Sequence, residues 1–426
     1  MGQPSRRGFC ATGALGLLAL ARPWRTTLAA ACEAPAALPA AVVAPKTAAQ
    51  TKARARFATW LAEVATAGAP EVTPLVYAGP LPVPEGGAAP TAVSTAISAE
   101  AGLWHLRQGR TAAARAIAAR LLRFQQGRRD GVLARSAGAM PERIVLVDGQ
   151  WRGDDRFLAG DNLAVLALLI ALVEVAGEPD LLNAAIGIGT WLVDVMCRGD
   201  AHGVWAEPHG APMAFVTRAG DFGNALDADR APLWMSALAR LGRVTGEAAY
   251  CRQAERAGAF YLTGQHAAGG FFDRYEPGWP PEAFDVARWT PAAPGTVRAT
   301  HALHAALGLV HLGAVDAAQK TLAWVRRDGD GVATWLELDS GRPATIDGDD
   351  GGPYDVGATA AFHALAVALG DAAAARTSAA ALARWQAADG GFPLAVDAKR
   401  RAITAERSAS IGLWATADLR TIEVAR

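Results

Sequence analysis

The sequence predicts an all-α protein, an (α/α)6 toroid of six helical hairpins with long loops on one face. Three observations lead there. Five times an alanine-rich helical stretch runs into a tight-turn glycine, at Gly109, Gly177, Gly246, Gly313 and Gly370, and a second helical stretch follows. A DG, HG or GG step then closes each unit, at Gly131, Gly203, Gly270, Gly331 and Gly391, a period of roughly 60–70 residues. One helix before this array and one after it have no partner, and pairing them closes a ring. An open solenoid is the alternative, but it needs polar capping repeats that those end helices do not supply.

Residues 1–31 read as a twin-arginine export signal. Ser5-Arg6-Arg7-Gly8-Phe9 precedes an apolar run from Ala11 to Ala21, and Ala29-Ala30-Ala31 stands before Cys32. The run is too short to span a membrane. A lipoprotein anchor at Cys32 is the alternative reading. The expected location is periplasmic or secreted. The formal charge is +0 and no basic block occurs, which argues against nucleic acid as a partner.

Residues 32–49 are an Ala/Pro-rich linker, and residues 50–426 are the toroid. A first amphipathic helix is expected over 51–66. The hairpins then pair 92–108 with 111–126, 162–176 with 180–197, 225–244 with 247–264, 296–312 with 315–327 and 356–369 with 371–387, and a last helix covers 406–419. The first helix of each pair is apolar nearly all round, as in Leu163 to Leu172, so it belongs inside the ring; the second carries a charged face, as with Arg252, Glu255 and Arg256. Cys197 and Cys251 fall at opposite ends of the ring, too far apart to bridge, so both are expected as unpaired thiols.

Connections within hairpins are a few residues, whereas those between hairpins are long: 127–161, 198–224, 265–295, 328–355 and 388–405. Long loops in a compact domain carry function. All of these open at the N-terminal ends of the inner helices, where free N–H groups and the positive dipole end point at whatever binds.

The polar residues gather at the same end. Asp161, Asp227, Asp229, His304 and Asp355 are the catalytic candidates. Carboxylates from different inner helices converge across a bore, and a pair with room for a water between them suits inverting glycoside hydrolysis. Asp161, Asp355 and Glu406 also suit a plain helix-capping role. Trp205, Arg230, Arg298, His301, Trp335, Tyr354, His363, Glu406 and Arg407 are the substrate-binding candidates: tryptophans as stacking plates, arginines as carboxylate or hydroxyl clamps. His301 and His304 share a helix face and suit acid–base work better than zinc, because no HExxH occurs. The acidic loops 328–331 and 347–351 do not match an EF-hand, so no metal or other cofactor is expected.

Asp161-Asn162 leading into Leu-Ala-Val-Leu-Ala-Leu-Leu, then Gly177-Glu-Pro-Asp-Leu-Leu-Asn, resembles repeats of the six-hairpin glycosidase superfamily. That resemblance implies a saccharide substrate held above the inner helices, with Asp, Glu or His as acid and base. His304 and His363 are similar to the histidine pair of the superfamily's sugar epimerases. Trp335-Leu-Glu-Leu-Asp-Ser-Gly-Arg-Pro343 is similar to a segment of calcium-dependent pectate lyases, the one setting in which Ca²⁺ is implied. Gly390-Gly391-Phe392 resembles terpene-cyclase repeats, but no DxDD motif accompanies it. The expected function is a glycoside hydrolase acting on an oligo- or polysaccharide. A uronate lyase, a sugar epimerase and a non-catalytic glycan-binding toroid are the alternatives.

Overall fold

The computed structural model describes residues 47–79, 81, 91–127, 136–197, 211–221, 223, 226–227, 230–276, 288–291, 293–327, 331–346 and 354–416. The segment read as an export signal, most of the linker, Trp205, Asp229 and the two acidic loops apart from Gly331 lie outside the described residues.

The inner helices are α2 (Thr95–Arg107), α4 (Ala159–Ala176), the pair α6 (Arg230–Trp234) and α7 (Ser236–Thr245), α9 (Ala299–His311), α11 (Val356–Ala368) and α13 (Ala409–Thr416). The outer helices are α1 (Ala48–Trp60), α3 (Thr111–Leu122), α5 (Pro179–Trp191), α8 (Ala248–Leu262), α10 (Val315–Trp324) and α12 (Ala372–Trp385). Each inner helix packs on the next, and α13 packs on both α2 and α1, so the ring closes through its first and last helices. This is the expected toroid. The inner helices are as apolar as the sequence implied: Leu163 through Leu172 of α4 are almost wholly buried. All five tight-turn glycines adopt positive φ, between 66° and 90°, as a left-handed cap between helices requires.

Strands are the feature that a helix-only reading passes over. A short strand stands directly before or close to the start of five inner helices: β1 (Ala92–Ser94), β4 (Arg156–Leu158), β6 (Leu226–Asp227), β9 (Thr296–Arg298) and β12 (Tyr354–Asp355). Each pairs antiparallel with a strand from the next long connection: β2 (Arg143–Val147), β5 (Phe215–Thr217), β7 (Arg274–Glu276), β10 (Trp335–Glu337) and β13 (Ala395–Val396), and β3 (Gln150–Gly153), β8 (Arg288–Thr290) and β11 (Pro343–Ala344) extend the first, third and fourth of these pairs. At two to five residues they carry too little periodicity to be read from sequence. They pin the long connections around the N-terminal ends of the inner helices.

A second repeated device joins neighbouring outer helices. Gln125, Gln265 and Gln386 each follow an outer helix and donate to two kinds of carbonyl. One is a turn glycine's (Gly138, Gly269, Gly390), and the other belongs to the next outer helix (Ala184, Ala317, Ala53). The last of these bonds, Gln386 to Ala53 at 2.7 Å, ties α12 to α1 across the ring's closure. The glycines lie so near the facing helix that a Cβ on any of them would collide with its backbone. Likewise the closing glycines Gly270, Gly331 and Gly391 leave room for Trp324, Trp385 and Trp60, which end the neighbouring outer helices. The repeat thus has a packing cause.

Two expectations need correction. Cys197 is a free, buried thiol, but Cys251 is disulfide-bonded, its partner lying outside the described residues. Cys197 and Cys251 are thus not bridged to each other. The last inner helix begins at Ala409 and not at Glu406, because Ser408 is its capping residue: the Ser408 hydroxyl accepts the N–H of Ile411 at 3.3 Å. The segment Pro179–Cys197 is long and apolar enough to cross a membrane; in the toroid it forms an outer helix with its π-helical extension and is 44% buried.

Candidate active site

Asp161 lies in the first turn of α4 and is 7% exposed. Its partner in sequence, Asn162, fixes the loop beside it: the Asn162 amide exchanges hydrogen bonds with both N–H and C=O of Met140 and donates to the Leu158 carbonyl. No hydrogen bond reaches the Asp161 carboxyl among the described residues. Burial raises its pKa to about 7, Arg230 opposes that rise, and Glu142, Glu100 and Asp154 add to it. Burial also raises the pKa of Asp154.

Glu100 is the residue that sequence reasoning missed. It sits in the middle of α2 and is 5% exposed. Its carboxylate accepts the Ser410 hydroxyl of α13 at 2.8 Å and lies 3.7 Å from Arg230 at the start of α6. The only sequence trace is a single acid in α2 flanked by Ala99, Ala101 and Gly102, and the contacts that give it meaning come from helices far along the chain. An unpaired carboxylate there would be too costly for a structural residue to keep.

Under Glu100 the bore narrows. Leu103, Trp104, Arg107, Trp234, Leu413 and Trp414 join Glu100 around a cavity of about 10 Å³, room for a single water. Trp234 and Trp414 have ring centroids 6.1 Å apart, and His304 lies against Trp414 at 5.7 Å. At the far end Arg107 and Arg240 both act on His311, whose pKa burial lowers to about 4, and Arg240 pairs with Glu174.

Across the mouth, the buried Asp273 is 1% exposed. Its Oδ1 accepts the backbone N–H of Arg298 at 2.8 Å and stands 3.2 Å from Nδ1 of His301. Arg298 precedes α9, directly opposite Trp335 in the β9–β10 pairing, and its guanidinium lies 5.0 Å from the centre of the Trp335 ring. Asp355 caps α11, taking the N–H of Ala358 at 2.8 Å. Burial raises its pKa against those capping bonds and against Arg298 and His304. Its first role is thus the helix cap.

Other candidates have structural work. His363 turns away from the bore: its Nδ1 meets the Ala375 carbonyl at 3.1 Å and the Ser378 hydroxyl at 3.2 Å on α12, and burial lowers its pKa to about 4. Helical phase places it on the outward face, so it does not pair with His304. Arg407 holds its own loop through the carbonyls of Thr404, Ala405 and Glu406 and faces Asp389 at 3.6 Å. Glu406 is exposed outside the helix it was expected to open. Tyr354 stacks on Trp385 at 5.7 Å. The backbone of Asp227 belongs to β6, paired with Arg274, and not to an inner helix. Trp289 packs on Phe260 and Tyr275. No cluster of metal-ligating side chains occurs among the described residues.

No protein-family model and no curated protein matches this sequence. Solved structures do. An α-amylase from Clostridium perfringens matches with a TM-score of 0.65 at 12% identity, covering 89% of this chain and 99% of its own. A cellobiose 2-epimerase from Spirochaeta thermophila matches with a TM-score of 0.60 at 13% identity, over 96% of this chain and 97% of its own. An endo-β-1,4-glucanase from Acetobacter xylinum gives 0.55 at 13% identity, over 88% and 99%. The likeness is one of fold, the toroid of helical hairpins that the sequence predicts.

Proposed function

We propose that this protein is a carbohydrate-active enzyme, a glycoside hydrolase with Asp161 as general acid and Glu100 as general base. One observation carries the reading: two carboxyl groups near one arginine lie in opposed surroundings. Asp161 is buried without a hydrogen bond among the described residues, and its pKa of about 7 keeps a proton available near neutrality. Glu100 has a cation and a hydroxyl donor on its carboxylate and borders the cavity sized for one water. Arg230 holds the two apart in role, attracting the ionised form of either. The glycosidic oxygen would take the proton from Asp161 while Glu100 draws a proton from the attacking water. The fold shared with a glucanase, an α-amylase and an epimerase supports a saccharide as substrate. The twin-arginine pattern supports export to the periplasm or beyond, which fractionation of the expressing cell tests.

The test is turnover of neutral and uronate-containing glycans by the mature chain. New reducing ends, lost by at least ~10³-fold in Asp161→Asn and in Glu100→Gln, support the reading. A second reading rests on the Asp273–His301 contact, which orients an imidazole for proton transfer at carbon, as an epimerase needs. Products with inverted stereochemistry and no new reducing ends would replace the first reading by the second. An unsaturated product absorbing in the near ultraviolet would point to a lyase.

A further inference from the structure

Three arginines stand near the mouth on sequence grounds, and the structure separates them. Arg230 is committed to Glu100, Asp161 and Ser410. Arg407 is committed to three carbonyls of its own loop. Arg298 differs. Its backbone N–H is held by the buried Asp273, its strand is paired through Trp335, and its guanidinium lies over the Trp335 ring. Among the described residues no carboxylate lies within ion-pair distance of that guanidinium. Asp355, whose carboxyl Arg298 acts on, is engaged by the α11 cap.

A guanidinium stacked on an aromatic face keeps its in-plane N–H fork open. That fork matches a carboxylate with two parallel hydrogen bonds, and an ammonium in its place would not. In the ring order α9 lies opposite α2, so Arg298, which directly precedes α9, stands across the ring from Glu100. A similar arginine shows the contrast: Arg156 lies 4.6 Å over Phe215, but Glu142 occupies it at 3.3 Å.

Resting on the saccharide reading, we infer that Arg298 is a specificity-determining residue that receives the carboxylate of a sugar acid, so the substrate class is a uronate-bearing glycan. Trp335 is its positioning residue. The uronate ring would sit in the mouth with its carboxylate on the Arg298 fork and its scissile linkage toward Asp161 and Glu100.

The experiment measures binding, by calorimetry, of a panel of oligouronates and of the same oligomers after chemical reduction of their carboxyl groups. The proteins are the wild type, Arg298→Lys and Arg298→Gln, each checked for an unchanged melting transition. The wild type binds at least one oligouronate about 10- to 100-fold more tightly than its reduced form, the worth of a charge-assisted pair. Both variants lose that preference, and their affinity for the reduced form stays within about twofold. Equal or tighter wild-type binding of every reduced form overturns the assignment and leaves the saccharide reading standing. A charge preference that survives in Arg298→Gln overturns it too. Binding of neither form by the wild type overturns the saccharide reading and this inference together.

Discussion

Replacing Asp161 by Asn should stabilise the protein above neutral pH while abolishing turnover. The carboxyl is 7% exposed, and its pKa moves from 3.8 to about 7 on folding, chiefly through burial. At about 1.36 kcal/mol per unit, that shift corresponds to an upper limit of about 4 kcal/mol by which the ionised group weakens the fold. The direction follows from proton binding. Between pH 3.8 and about 7 the folded chain holds a proton that the unfolded chain has released, so stability falls as pH rises through that window and then levels. Asparagine removes this dependence and keeps the shape. At about 1 °C per kcal/mol for a domain of this size, the variant should melt about 3–4 °C higher at pH 8. The gain should shrink to about 1 °C at pH 4.5. Paired thermal melts of both proteins at the two pH values provide the assay, and other titrating groups cancel in the difference. An equal gain at both pH values, or a loss at pH 8, would refute the reasoning that burial sets the protonation of Asp161.

Three further outcomes are expected. Gln386→Ala leaves the carbonyls of Ala53 and Gly390 without their donor and should cost about 2–4 kcal/mol in denaturant unfolding. His363→Ala should cost about 1–3 kcal/mol at neutral pH with turnover unchanged, since its bonds run to α12 and not to the bore. That cost should narrow as pH falls from 6.5 toward about 4, because the unfolded histidine gains a proton that the folded one refuses. Asp273→Asn should change the His301 ring-nitrogen NMR signals, since the contact at 3.2 Å orients that ring; identical signals would rule it out.

Much of the ring was legible because its cause is local and repeated. A turn glycine between two helices recurs at each unit, a closing glycine meets a tryptophan at Gly270, Gly331 and Gly391, and both leave a trace in composition. Asp161 was legible for the same reason, since an acid opening an apolar helix stands out. Glu100 was not, because a lone acid inside a helix looks like a flaw until Ser410 and Arg230 are seen to meet it from helices far along the chain. The roles of the arginines were hidden for a related reason. Arg407 and Arg298 both stand at the mouth, and only the fold shows that one bonds its own loop while the other lies on Trp335. His363 was misassigned because depth along a helix says nothing about which way its phase turns a side chain.

The Glu100 carboxylate draws on the first, third and sixth inner members of the ring, α2, α6 and α13. Its surroundings therefore assemble only once the chain has been synthesised through Ser410. A nascent or truncated form would own the acid without its escorts, leaving a bare charge in a greasy channel. Maturation of the chemistry and completion of the circle are one event, so a broken toroid should be an inert one.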